Sequence, residues 1–153
     1  MTLAEQTIQE ALKDEGVHEQ GGNNRGPRVE EMLHTVSLEP GQPWCAAAVC
    51  TWIKQATVAL AIQTKVHFGA SAYKLYDRNE PLRISQPEPG CIALRNEGQG
   101  HGHAMLVLEV NGDTIKCISG NTNGQGSREG DQVAIQDRPL SQFDNGFGFV
   151  RIE

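Results

Sequence analysis

The feature that most constrains the fold of this chain is an apolar stretch at residues 43–56, PWCAAAVCTWIKQA. Alanine and long apolar residues dominate it, and no glycine interrupts it. Pro43 stands where a helix can begin, because its fixed φ and missing N–H cost nothing at a first turn. Val49, Ile53 and Ala56 recur at helical spacing. The stretch therefore predicts a central helix buried in a core.

Cys45 falls in the first turn of this predicted helix. Free backbone N–H groups and the positive end of the helix dipole favour a thiolate there, so Cys45 is a candidate nucleophile. The alternative is a small core residue, because free cysteine is among the most buried residue types. Cys50 and Cys117 lie inside apolar runs and are predicted to be core residues.

Length and composition set the class of protein. A chain of 153 residues suits a single domain spanning residues 1–153, and a net charge of −6 argues against a nucleic-acid partner. Four cysteines without a C-x-x-C pair predict reduced thiols and synthesis in a cytoplasm. The acidic, amphipathic N-terminus does not resemble a signal peptide, and no apolar run is long enough to cross a membrane.

Two shorter helices are predicted before the central one. Residues 2–15 carry Leu3 and Ile8 at roughly helical spacing, which indicates a surface helix with one packed face, ended by Gly16. Pro27 opens the second helix.

After the central helix, residues 69–76 predict another short helix with Ser71 as its cap. Tyr73 within it is expected to pack rather than to line a cleft. Residues 79–90 contain three prolines and predict a rigid connector.

From Gly90 onward the periodicity changes to short extended runs. Asn111-Gly112 between two apolar runs predicts a hairpin, since a two-residue turn of this type needs positive φ. Glycine-rich loops at residues 98–102 and 121–126 flank that hairpin. Helices followed by an antiparallel sheet indicate an α+β fold, with N-terminal helices packed on a C-terminal sheet. The strands are predicted near residues 91–95, 103–110, 114–119, 132–135 and 148–152.

The predicted hairpin brings polar residues together. Antiparallel register places His103 opposite the stretch from Ser119 to Asn121. A polar residue there could bond one ring nitrogen of His103 while the other nitrogen faces Cys45. That arrangement is what a cysteine nucleophile needs: a base, and a third group that orients the base.

Two alternatives stay open at this point. His101 and His103 form a His-x-His pair, which suggests zinc, although no further ligand has diagnostic spacing. Asn23, Asn24 and Arg25 could line a binding site, but their composition favours a polar turn held by its own hydrogen bonds.

The chain resembles the CHAP family of cysteine, histidine-dependent amidohydrolases/peptidases, part of the wider papain-like and NlpC-type group. The resemblance rests on four segments in this order and spacing: GGNNRGPRVEEML, GQPWCAAAV, GHAMLVLEV and ISGNTNG. It runs from about residue 5 to the C-terminus. It implies a papain-like single domain that needs no cofactor, and the Asp-rich loop with which some relatives bind calcium is missing here.

By this resemblance, Cys45 is the nucleophile, His103 the base and acid, and Asn121 a polar partner. Many relatives have Glu-Gly-Asn where this chain has Ser119-Gly120-Asn121, so the carboxylate that would orient His103 is replaced. An aromatic residue usually follows Cys-Ala-Ala, where Ala48 stands here. The candidate substrate-binding residues are Asn23, Asn24, Arg25, Gln42, Trp44, His101 and Ser119.

The implied function is a peptidoglycan hydrolase that cuts an amide bond in the stem peptide or at its junction with the sugar. The expected setting is bacterial lysis, as a phage endolysin or an antibacterial effector, by a monomer that acts on the cell wall or in the periplasm after release or delivery. An immunity or delivery protein is a possible partner, and no membrane partner is expected. The alternatives are a binding module that holds a glycopeptide or protein without cutting it, and an amidase on a small amide outside the wall.

Overall fold

The computed structural model describes residues 1–122, 130–144 and 146–153. In these residues, four α-helices and a six-stranded antiparallel sheet confirm the predicted α+β class. The sheet order is β1-β6-β2-β3-β4-β5. The helices are α1 (Leu3–Leu12), α2 (Pro27–Thr35), α3 (Cys45–Leu60) and α4 (Ala72–Asp77). The strands are β1 (Arg83–Ile84), β2 (Ile92–Gly98), β3 (His101–Asn111), β4 (Thr114–Thr122), β5 (Gln132–Pro139) and β6 (Phe149–Val150).

Helix α1 begins with a capping box. The Thr2 hydroxyl accepts a hydrogen bond from the Glu5 N–H at 3.1 Å, and the Glu5 carboxylate accepts one from the Thr2 N–H at 2.7 Å. Two of the free N–H groups of the helix start are thereby satisfied. The helix ends at Leu12, earlier than the predicted end near Glu15.

The chain leaves the helix after Leu12, and the turn that follows contains a buried carboxylate, Asp14. Asp14 accepts hydrogen bonds from Arg28 Nη2 of α2 and from Trp52 Nε1 of α3, both at 2.8 Å. A carboxylate removed from water needs such partners. Asp14 therefore ties the first three helices together.

Helix α3 is the central element, as predicted. It begins at Cys45 with Trp44 as its N-cap residue, so Pro43 lies before the helix rather than inside it. Every residue from Cys45 to Ile53 is buried, which means that this half of the helix is surrounded by other elements on all sides. The helix ends where Ala61 adopts a left-handed conformation with φ +54°.

The two faces of the sheet carry separate apolar clusters. Ala104 and Leu106 of β3, with Ile118 of β4, belong to the cluster that contains α3. Met105 and Val107 alternate with them and belong to the second cluster, with Cys91, Cys117, Phe143 and Phe149. The sheet is therefore covered on both faces.

The predicted hairpin joins β3 and β4, one residue later than expected. Asn111 pairs with Thr114, so the two-residue loop is Gly112-Asp113, and Gly112 takes φ +66°. Glycine at the first position of such a loop supplies the positive φ that matches the twist of the strands.

Several boundaries differ from the predictions. The connector at residues 79–90 contains the short strand β1. The turn between β2 and β3 takes only residues 99–100, and the predicted loop residues 98 and 101–102 are strand. Of the predicted loop at residues 121–126, the first two residues belong to β4, and the rest lies outside the described residues.

None of the helices in the described residues combines the length and the apolar character that a bilayer crossing requires.

Candidate active site

Cys45 is the first residue of α3, and its backbone surroundings follow from that position. The first bond within the helix runs from Ala48 N to Trp44 O at 2.9 Å. The N–H groups of Cys45, Ala46 and Ala47 therefore have no acceptor inside the helix, and the positive end of the helix dipole lies at the thiol. Cys45 is 6% exposed. A thiol in this position is one whose anion the helix stabilises.

A cleft of about 220 Å³ reaches Cys45 from the surface. Three separate parts of the chain form its walls together with Cys45: the connection between α2 and α3, the start of α4, and the beginning of β3. Its lining residues are Leu38, Gln42, Pro43, Cys45, residues 70–73 and residues 100–102. The nucleophile candidate is therefore buried but lies at the base of a cleft, not in a sealed core.

His103 lies on β3, directly after the cleft residues His101 and Gly102. Its side chain is fully buried, and its Nε2 atom lies 3.1 Å from Ser119 Oγ on β4. The tautomer decides which of the two atoms donates. The prediction that His103 meets the Ser119–Asn121 stretch across the hairpin is confirmed, and Ser119 is a residue that bonds the ring.

The contact between Trp44 and Gly120 joins the start of α3, which carries Cys45, to the end of β4, which carries Ser119. A methyl group at Gly120 would lie 2.5 Å from the Trp44 ring and 3.0 Å from Ala48 Cβ, so the glycine backbone lies directly against the start of α3. Trp44 precedes Cys45, and Gly120 follows Ser119. The residues next to the thiol and next to the partner of His103 are therefore in van der Waals contact.

Asn121, the predicted polar partner, is also buried at this end of β4. Its backbone is left-handed, with φ +56°. The register between β4 and β5 shifts between Ser119 and Thr122, so regular alternation does not hold at Asn121. Asparagine tolerates this conformation better than most residues.

Two of the predicted substrate-binding residues, Gln42 and His101, line the cleft. Trp44 does not, and this prediction is corrected: the ring is fully buried, and its Nε1 donates to Glu19 Oε2 at 2.9 Å. Ser119 is corrected in the same way, because it is buried against His103. Trp44 and Ser119 are buried and have no surface to offer a ligand.

The predicted asparagine and arginine loop lies elsewhere. Asn24 is buried with φ +56°, and its Nδ2 donates to the Gly41 carbonyl at 3.2 Å. Asn23 and Arg25 are exposed, and neither is among the described residues that line the cleft. Asn24 therefore has a structural role, holding the loop that leads to Gln42, and the groove role of Asn23 and Arg25 stays a prediction.

Residues 70–73 also line the cleft, a contribution that the local sequence pattern did not predict. Tyr73 lies in the first turn of α4, lines the cleft and is 55% exposed, although packing was expected. Ser71 is the predicted helix cap and accepts a hydrogen bond from Lys74 N at 3.1 Å. The signal for this helix was local, whereas its position beside Cys45 depends on contacts far apart in the sequence.

The remaining three cysteines are buried thiols with raised pKa values. Burial raises the pKa of Cys50, Cys91 and Cys117 to about 12 in each case. At Cys50, the hydrogen bond to the Gly69 carbonyl opposes this shift and the negative charge of a Cys45 thiolate adds to it. Because the thiolate is the nucleophile, these buried thiols are unreactive near neutral pH. All four cysteines are free thiols.

The described residues contain no group of three or more His, Cys, Asp or Glu side chains placed to hold a metal ion. His101 is exposed, and His103 is buried with its Nε2 at Ser119. In the described part of the chain, no third ligand accompanies the His101 and His103 pair.

The fold and site together define an α+β protein with a thiol at a helix start, a cleft that reaches this thiol, and a buried histidine on the strand whose first residues line the cleft. The chain is similar in structure to the crystal structure of Ly7917, with a TM-score of 0.55, 16% sequence identity and 99% of this chain covered. The chain spans 61% of the length of that protein. At this identity the likeness concerns the fold alone. No protein-family model matches the chain, and no curated protein matches it significantly.

Proposed function

We propose that the protein is a papain-like peptidoglycan hydrolase, a cysteine-dependent amidase or endopeptidase. The observation that carries the proposal is the position of Cys45, at the start of α3 and at the base of a cleft whose wall includes the residues next to His103. Support for the papain-like assignment comes from the order of elements, with the cysteine on the central helix and the histidine on a following antiparallel strand.

In the first step, His103 takes the proton of the Cys45 thiol, and the sulfur attacks the carbonyl carbon of the scissile amide. The tetrahedral intermediate carries a negative oxygen. The Cys45 N–H, which has no acceptor within the helix, can donate to that oxygen, and such a donor is typically worth about 3 kcal/mol. Gln42 lines the cleft and is our candidate for a second donor.

In the second step, the carbon–nitrogen bond breaks and His103 delivers its proton to the leaving amine. A thioester to Cys45 remains. His103 then takes a proton from water, whose oxygen attacks the thioester, and the carboxylic acid leaves as the thiol is restored. Ser119 holds the imidazole through its bond to Nε2, and Asn121, buried two residues later on β4, is our candidate for a second polar partner.

The proposed setting is bacterial lysis. A phage endolysin or an antibacterial effector would meet peptidoglycan after release or delivery, and an effector would have an immunity protein as a partner. We further propose a monomer, since one chain contains the complete pair of reacting groups.

A second candidate is a binding relative that holds a glycopeptide without cutting it. The observation in its favour is the neutral partner of His103, because a serine hydroxyl does not stabilise an imidazolium as a carboxylate does. Sedimentation with purified peptidoglycan and no release of amines would support this candidate.

The decisive experiment for hydrolysis is digestion of purified peptidoglycan by the whole protein, with new amino groups counted and new termini identified by mass spectrometry. We expect Cys45→Ala and His103→Ala to abolish amine release and to keep the circular dichroism spectrum. Cys91→Ala is the matched control, since that thiol is buried at the start of β2 and should leave activity intact. Full activity in Cys45→Ala would end the hydrolase proposal, and cleavage of small amides but not of wall would favour an amidase with another substrate.

A further inference from the structure

The exposed aromatic ring of Tyr73 is the most distinctive feature of the cleft that the proposed reaction leaves unused. Other rings hold it in place. Phe147 lies edge-on to it with a centroid distance of 5.9 Å, and the Tyr76 ring in turn lies 5.3 Å from the Phe147 ring. The Arg83 guanidinium lies 3.9 Å from the centroid of the Tyr76 ring. The cleft thus has a braced aromatic surface at its rim, with most of its outermost ring open to solvent.

The remaining wall is neutral. Among the described residues that line this cleft, none carries a full formal charge at neutral pH with histidine neutral. Hydrogen-bonding groups come from the Gln42 amide, the His101 imidazole and the Ser71 hydroxyl. Ser71 Oγ already accepts a bond from Lys74 N, and its O–H stays able to donate. Such a wall suits a neutral ligand with hydroxyl and amide groups on its edges and an apolar face for the aromatic ring.

A charged ligand fits this wall poorly. Bonds within the stem peptide and its cross-bridges have ionisable carboxyl and amino groups close by. Moving such a group into the cleft would remove its water without supplying an opposite charge from the described lining. The bond between the muramic-acid lactyl group and the stem peptide is different, because a neutral N-acetylated sugar ring stands on its acyl side. A cleft of about 220 Å³ is smaller than pockets for drug-sized ligands, which begin at roughly 300 Å³, so it suits one ring and the adjoining amide.

We propose that Tyr73 is a specificity-determining residue that stacks on the sugar ring beside the scissile amide, so that the protein cuts the bond between the lactyl group of muramic acid and the first residue of the stem peptide. This inference rests on the proposed hydrolase function and selects one bond within it. The Cys45 sulfur bonds to the lactyl carbonyl carbon, and the amine of the first stem residue leaves with a proton from His103. Water then releases the lactyl carboxylic acid.

The test compares two soluble substrates: a muramoyl-peptide, obtained from purified peptidoglycan with a muramidase, and the same stem peptide without sugar. We expect the wild-type protein to release the intact stem peptide from the first and to leave the second uncut. Tyr73→Ala should raise the KM for the muramoyl-peptide roughly three- to tenfold with little change in kcat, because stacking contributes to binding in both the ground and transition states.

Two variants serve as controls. Tyr73→Phe keeps the ring, and its KM for the muramoyl-peptide should stay close to the wild-type value. A large rise in KM in this variant would point to the hydroxyl instead of the ring. Val58→Ala removes an exposed apolar side chain about 20 Å from Cys45 along α3 and should have no effect on KM. Cleavage inside the stem peptide, equal cleavage of the sugar-free peptide, or an unchanged KM in Tyr73→Ala would overturn this inference and leave the hydrolase proposal standing. Failure of the wild-type protein to cut any wall substrate would overturn both.

Discussion

At the scale of single residues, the neutral partner of His103 is the feature that sets this site apart from the expected pattern. Ser119 Oγ lies 3.1 Å from His103 Nε2, and Ser119 stands where many members of the CHAP family, which the sequence resembles, have glutamate. A hydroxyl fixes the ring by a hydrogen bond but adds no negative charge opposite an imidazolium. In the proposed enzyme, Ser119 would therefore contribute to the orientation of the histidine and not to charge stabilisation.

We predict that Ser119→Ala lowers kcat/KM for wall hydrolysis roughly ten- to hundredfold. The change leaves a buried ring nitrogen without this hydrogen bond, at a cost of about 1–3 kcal/mol. Steady-state kinetics on solubilised peptidoglycan measures the loss. The exposed Ser85, replaced by alanine, is the control. A Ser119→Ala protein with the wild-type rate and pH profile would contradict a positioning role.

A second variant separates orientation from charge. Ser119→Asp places a carboxylate near the ring and should move the pH–activity profile to higher pH, because a nearby negative charge favours the protonated imidazole. If the profile of a folded Ser119→Asp protein does not move, the hydroxyl and His103 are not coupled in the active protein.

At the scale of elements, the start of α3 and the end of β4 are held together by a contact that leaves no room for a side chain. The built methyl group at Gly120 lies 2.5 Å from Trp44, which is fully buried and bonded to Glu19. A rigid ring in a packed interior cannot move far. This contact fixes the distance between the helix that carries Cys45 and the strand that carries Ser119.

We predict that Gly120→Ala lowers the free energy of unfolding by about 1–3 kcal/mol, because the extra methyl overpacks a dense region. It should also lower activity by displacing the helix start. Urea unfolding and the wall assay measure the two effects. Gly148→Ala is the control, since its added methyl would meet nothing within 4 Å. Equal stabilities of the two variants would show that the contact tolerates a side chain.

The elements of the site differ in how well their sequence predicts them. The apolar run of α3 and the Asn-Gly hairpin are local signals, and they correctly indicated Cys45 at a helix start and His103 beside Ser119. The burial of Trp44 could not be read in this way, because it depends on a glycine 76 positions later in the chain. Asn24 was likewise a candidate for the substrate groove. Its left-handed backbone and its bond to the Gly41 carbonyl depend on how the loop folds, which the sequence does not indicate.

At the scale of the whole molecule, the cleft lies where helices and sheet meet, and distant parts of the chain form it. Leu38, Cys45, Tyr73 and His101 all line it, although each belongs to a different element or connection. Assembly of the site therefore requires the packed fold. No single segment of the sequence contains enough information to predict the cleft, which explains why Tyr73 was missed.

The buried thiols make the stability of the whole molecule sensitive to alkaline pH. Burial raises the pKa of Cys50, Cys91 and Cys117 from 9.0 to about 12. Between these values the unfolded chain loses protons that the folded chain keeps, so the unfolded state is favoured as pH rises. The contribution of the protonated thiols to the free energy of unfolding is therefore fully present below pH 9 and is lost as the pH rises toward 12.

We predict that the free energy of unfolding falls by about 1 kcal/mol for each buried thiol between pH 8 and pH 10. Urea unfolding at the two pH values measures the change. The double variant Cys91→Ala/Cys117→Ala should lose less stability over this interval than the wild type, whatever its stability at pH 8. An identical pH dependence in the double variant would show that other groups cause the loss.

The central claim is that the Cys45 thiol and the His103 imidazole act as one reactive pair, and the alkylation rate of Cys45 tests it most directly. Peptide mass spectrometry after timed exposure to iodoacetamide at pH 7 reports the rate at each cysteine. We predict that Cys45 in the wild-type protein is alkylated at least about tenfold faster than in His103→Ala, while the three buried thiols stay unmodified in both. Equal rates at Cys45 in the two folded proteins would contradict the account.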